Sequence, residues 1–210
     1  MSKKKKTLPG NNKAKINTTI DKFIDRLAIL GDCIEREKSG AKTPTGKNSF
    51  EDFKDIIEAI ADEGNLSNEL HHFACDCAAH AWKVAYDLGI DIKPEAKELI
   101  LTKRAWIEGL INKKTLQQLQ EKTAKFLDVT VLACYHQATR YNSFMAARHA
   151  FVSSIYAVYA SRVYFDNENE KRRNEIEFDE LNFQREQLVK RIDGKRKKIL
   201  ELVKQDFLIS

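Results

Sequence analysis

Apolar residues return every three or four positions along most of this chain, and no window shows sustained alternation in steps of two. Ile20, Phe23, Ile24, Leu27, Leu30 and Ile34 form one stripe, and Phe50, Phe53, Ile56, Ile57 and Ile60 form another. A three-four spacing places these side chains on one face of a helix, whereas a half-buried strand needs a period of two. No tight hairpin dipeptide separates apolar runs, so the expected fold is all-α.

Turn and cap residues divide the pattern into about six or seven helices. The stretch from Lys38 to Asn48 is a loop by its Gly, Pro, Ser and Thr content. Ser49 is the expected N-cap of the next helix, with Asp52 three residues on. Gly64 closes that helix, Ser67 caps the one after it, and Gly89 ends it. Pro94 fits a first helical turn, where its missing N–H is not needed, and Gly109 is the next stop. One long helix is expected from Asn112 to Tyr141, carrying Leu116, Leu119, Phe126, Leu127, Val131 and Cys134. Residues 142–165 are apolar and rich in small residues, as a central core helix would be.

The chain of 210 residues is long enough to bury a real core, and no apolar run approaches bilayer length. The expected organisation is a disordered basic tail over residues 1–15 and one compact helical domain over 16–210. Within that domain, residues 167–210 read as a charged C-terminal helical extension with a thin stripe at Leu181, Leu188, Ile192, Ile199 and Val203. Two heptad steps interrupted by Gly194 are too few for a coiled coil and leave the oligomeric state open. The net charge of +5 belongs to the tail. Lys3, Lys4, Lys5, Lys6, Lys13 and Lys15 lie there without an acidic residue, and setting them aside leaves about −1. Attraction to nucleic acid is therefore expected only through the tail. The N-terminus lacks the apolar stretch of a secretory signal, so the expected location is cytoplasmic, with reduced cysteines and no membrane association.

The segment LHHFACDCAAHAW, residues 70–82, most resembles chemistry. On a helix, His72, Asp76 and His80 share one face over two turns. They are the candidate metal ligands, as a linear face and not a preformed cage. Cys75 and Cys77 are splayed by roughly 200° on a helix and cannot both reach one tetrahedral ion. A cysteine nucleophile would need a base from elsewhere, with His136 or His149 the candidates. The third reading is structural: Cys75, Cys77 and Cys134 fill the core, and Asp76 or His80 bonds a neighbouring helix. The spacing favours this last reading. No phosphate loop, nucleophile elbow or His-Glu-x-x-His motif is present.

The run FACDCAAHAW (Phe73 to Trp82), the segment Ala105-Trp106 to Gly109, and AARHAF around His149 together resemble a family of helical immunity proteins. These are encoded beside polymorphic toxins in bacteria and include the immunity-five-like group. The resemblance spans roughly residues 66–190 and makes Phe73, Cys75, Asp76, Cys77, His80, Trp106, Gly109 and His149 motif positions with a structural role. It implies a non-enzymatic protein that binds and neutralises a cognate toxin by occlusion, with no cofactor and no catalytic residue. Arg140, Tyr141 and Tyr164 are the candidate exposed anchors. The alternative is a helical nucleic-acid-binding or scaffold protein, acting through the tail and the basic clusters at 171–173 and 195–198.

Overall fold

A computed structural model describes residues 10–90, 94–124, 134, 136–165 and 172–208. Seven helices are described: α1 (Gly10–Lys38), α2 (Ser49–Asp62), α3 (Ser67–Asp87), α4 (Pro94–Ile107), α5 (Lys113–Ala124), α6 (Ser143–Phe165) and α7 (Arg173–Leu208). No strand occurs among the described residues, so the all-α expectation holds. No helix among them is long and apolar enough to cross a membrane.

Helices α3 and α6 form the centre, and α2, α4 and α7 also pack on α3. Small residues permit the close α3–α6 approach: Ala74, Ala78, Ala81 and Ala85 on one side, Ala146, Ala147, Ala150 and Ala157 on the other, all fully buried. Larger side chains fill the spaces around them. Phe53 sits edge-on to both Phe73 and Phe151, with ring centroids 6.0 and 4.8 Å away, so the Phe73 of the motif is a core residue. Removing such a buried ring costs about 3–5 kcal/mol.

Two helix starts differ from expectation. Asn48, not Ser49, caps α2, because its Oδ1 accepts the Glu51 N–H at 2.8 Å. Ser49 becomes the first helical residue and its N–H donates to Glu37 Oε2 at 2.9 Å, a carboxylate placed at the positive end of the helix. Leu66, not Ser67, occupies the cap position of α3 and makes no side-chain cap bond. It is buried at 1% exposure, so packing decides that boundary. The stops match the reading. Gly89 and Gly109 take positive φ (77° and 71°), and each is followed by an N–H that reaches back five residues, Ile90 to Ala85 and Leu110 to Ala105.

Helix α1 begins at Gly10, so residues 10–15 of the expected tail are helical, while residues 1–9 lie outside those described. The expected long helix is described as α5 up to Ala124 and again at Cys134 and 136–138; Phe126, Leu127 and Val131 lie outside the described residues. The segment expected as an extension is integral to the bundle. Helix α7 runs unbroken through Gly194 and buries Ile176, Leu181, Leu188, Ile192 and Ile199 against α1, α3 and α6.

Candidate functional site

His72, Asp76 and His80 do share one face of α3, and each takes a different partner. Asp76 is 13% exposed and accepts from Arg191 Nε and Nη2 on α7 at 2.6 and 2.7 Å, and from Arg104 Nη2 on α4 at 3.0 Å. His72 Nε2 lies 3.1 Å from Glu108 Oε1. Burial lowers its pKa, Arg191 adds to the effect, and Glu108 opposes it. His80 Nε2 lies 2.9 Å from Glu180 Oε2, and its ring stacks on Phe183 at 3.7 Å. The face therefore diverges into separate contacts with α4 and α7. Among the described residues, no group of three or more His, Cys, Asp or Glu side chains is placed to hold a metal ion.

Behind this face runs a buried polar seam that joins α3, α6 and α7. Cys77 Sγ donates to Gln184 Oε1 at 2.5 Å. The Gln184 amide in turn donates to Ser154 Oγ at 2.7 Å and to Glu180 Oε1, which carries the chain of bonds on to His80. Cys134 Sγ donates to the Ala150 carbonyl at 3.4 Å. Neither thiol is paired with His136 or His149 in these bonds, contrary to what a cysteine–histidine nucleophile requires. Desolvation raises the pKa of Cys75 to about 12 and lifts Cys77 and Cys134 well above the usual thiol range. Such thiols are poor nucleophiles at neutral pH. His149 sits half-buried on α6, its pKa lowered by burial and then by Arg140 and Arg148.

Trp106 belongs to a second buried cluster. Lys103 is fully buried; its Nζ donates to the Arg140 carbonyl at 2.8 Å and lies 3.9 Å from the Trp106 ring centroid. Burial lowers its pKa to about 8. His71 stands edge-on to Trp106 at 5.2 Å, its Nδ1 without a hydrogen-bond partner among the described residues, and burial followed by the Lys103 charge lowers its pKa to about 3. Tyr141 is half-buried over Trp106 and donates to the Lys113 carbonyl, so it packs the α4–α5 corner and does not stand free as an anchor. Arg140 is exposed, and the Tyr164 side chain lies outside the described residues.

The feature that sequence reasoning missed is an apolar groove of about 480 Å³ between α3 and α4. Trp82 and Tyr86 stack at 4.9 Å with 14° between their planes, and Ile100 and Leu101 face them from α4. Tyr86 is 62% exposed and Leu101 58%. Lys97 leans over Trp82 at 5.8 Å, and Arg104 stands at the groove beside its Asp76 contact. The four-residue step from Trp82 to Tyr86 was the available signal. Without the position of α4 it reads as one more core stripe.

No protein-family model matches the chain, and no curated protein or solved structure matches it either.

Proposed function

We propose that this chain is a non-enzymatic immunity protein that binds a cognate bacterial toxin and neutralises it by occlusion. The observation that carries the binding half of this reading is the groove of Trp82, Tyr86 and Leu101. Large apolar side chains gathered at an exposed concave surface mark interaction sites, and aromatic anchors supply much of the affinity at protein interfaces. The toxin half rests on the resemblance at Phe73–Cys77, Trp106–Gly109 and His149. The groove lies between the helix that carries the first of these motifs and the helix that ends in the second, and Asp76 of the first motif accepts from the groove's Arg104 at 3.0 Å.

The nucleic-acid reading is weaker. Much of the basic character of α7 faces carboxylates: Arg173–Glu177 at 2.9 Å, Lys195–Glu69 at 3.4 Å, Arg196–Asp21 at 3.2 Å and Lys197–Asp193 at 2.7 Å. Mixed signs of this kind do not make a surface that tracks phosphates.

The test is purification of the full chain from its source cells after nuclease treatment and in moderate salt, with mass spectrometry of what co-elutes. One stoichiometric protein is expected, and its gene should arrest growth of a bacterial host unless this chain is co-expressed. Partners that vanish with nuclease, or a partner whose expression is harmless, would overturn the proposal.

A further inference from the structure

We infer that the α3–α4 groove docks an acidic amphipathic helical segment of the protein partner, with apolar side chains against Trp82, Tyr86 and Leu101 and carboxylates toward Lys97 and Arg104. This deepens the binding-protein reading and rests on it.

The argument begins with shape. Trp82 and Tyr86 lie one turn apart on α3, and Lys97, Leu101 and Arg104 follow one another along about 10 Å of the α4 axis. A groove of that length between two helices accommodates two turns of a third helix, whose residues at i, i+3, i+4 and i+7 supply the anchors. The aromatic pair is already stacked on itself, so covering it costs less side-chain freedom than ordering two separate rings.

Charge selects the sign of the occupant. The groove is lined by three cations, Lys83, Lys97 and Arg104, against one carboxylate, Asp87, which is already bound to Lys83 at 2.5 Å. Lys97 has no carboxylate within ion-pair distance among the described residues, and its only described partner is the Trp82 ring. Arg104 shares Asp76 with Arg191, so among the described residues its guanidinium has no carboxylate of its own within ion-pair distance. A basic segment would meet like charge there, whereas glutamates or aspartates flanking an apolar anchor would be complementary. Ile100 and Leu101 make the α4 wall aliphatic, which suits leucine or phenylalanine side chains better than nucleobases.

The test uses the full chain and two synthetic helical peptides of about 15 residues. Both carry leucines at i, i+3, i+4 and i+7; one has glutamates on its flanks and the other lysines. Binding is followed at the Trp82 indole N–H by NMR. The glutamate peptide is expected to bind at least about fivefold more tightly at about 50 mM salt, with the gap closing near 0.5 M as screening sets in. Lys97→Glu should reverse the preference, and Leu101→Glu, at an exposed position, should abolish binding while leaving the fold intact. Equal binding of the two peptides, binding that survives Leu101→Glu, or displacement by a short oligouridine would overturn the inference. Concentration-dependent dimerisation lost in Leu101→Glu would also overturn it, in favour of a second copy of this chain. The two readings fail separately. A chain that neutralises its toxin without the charge preference sinks only the groove chemistry, and one that prefers the acidic peptide but retains no toxin sinks only the immunity reading.

Discussion

Arg191 grips both carboxylate oxygens of Asp76, Nε at 2.6 Å from Oδ2 and Nη2 at 2.7 Å from Oδ1, across a sequence separation of 115 residues. The two-point geometry fixes α7 against α3, and Arg104 adds α4 at 3.0 Å. Asp76 is far less exposed than either arginine. Removing the carboxylate strands two partly buried cations, whereas removing Arg104 leaves the stronger contact in place. Asp76→Ala is expected to lower stability by about 3 kcal/mol and Arg104→Ala by about 1 kcal/mol. Urea unfolding of the two variants checks this, and equal losses would show that Asp76 is not the hub.

Lys103 makes stability depend on alkaline pH. Its folded pKa of about 8 lies below the ordinary 10.5, so between those values the unfolded chain binds a proton that the folded chain has released. Stability contributed at this site therefore rises as pH increases from about 8 toward 10.5, and the buried charge weighs against the fold below pH 8. Lys103→Met is expected to lie within about 1 kcal/mol of the parent at pH 7, since it removes a buried charge but leaves the Arg140 carbonyl without its donor. The stability difference between parent and variant, followed from pH 7.5 to 10, should shift in favour of the parent. A constant difference would contradict the assignment.

Two helical glycines predict unequal outcomes for one substitution. A methyl group on Gly194 would meet nothing within 4 Å, so Gly194→Ala should stabilise α7 by about 0.5–1 kcal/mol. On Gly31 the same methyl would stand 3.1–3.3 Å from the Arg185 guanidinium, which reaches across from α7 to donate to the Leu27 carbonyl. Gly31→Ala should displace that group and lose most of the helical gain. Thermal unfolding of the pair is the check, and equal shifts in Tm would mean that Arg185 yields freely.

The four cysteines should label in a definite order. Cys33 lines a small pocket of about 190 Å³ between α1 and α2, while Cys75, Cys77 and Cys134 are sealed in the core. Burial and the nearby Asp52 raise the Cys33 pKa, so its reaction is slow as well. Maleimide labelling followed by mass spectrometry should show Cys33 modified first and the other three only when the whole chain unfolds. Native-state labelling of Cys77 at the rate of Cys33 would overturn the assignment of the polar seam.

The chain's helical class was legible in its residues because amphipathic periodicity is local. The stripe from Ile20 to Ile34 and the stop at Gly109 follow from neighbours within two or three turns. The caps of α2 and α3 lie one position before the serines that local spacing predicts. Asn and Ser stand side by side at 48 and 49, and only the placement of Glu37 decides which one turns inward. Helix α7 looked like an appendage because its apolar stripe is thin among charges. It is a bundle helix because α1 and α3 cover that stripe, and Asp76, Glu69 and Asp21 receive its arginines and lysines.

The segment of residues 70–82 divides in the same way. Its periodicity put His72, Asp76 and His80 on one face. Whether that face would converge on an ion or fan out to three partners depended on Glu108, Arg191 and Glu180, which lie 36, 115 and 100 residues away. The groove was hidden for the same reason: Trp82 and Tyr86 line an open apolar groove only because α4 stops short of covering them. Local sequence determined which faces are apolar. The tertiary packing alone decided which of those faces are spent on the core and which is left exposed.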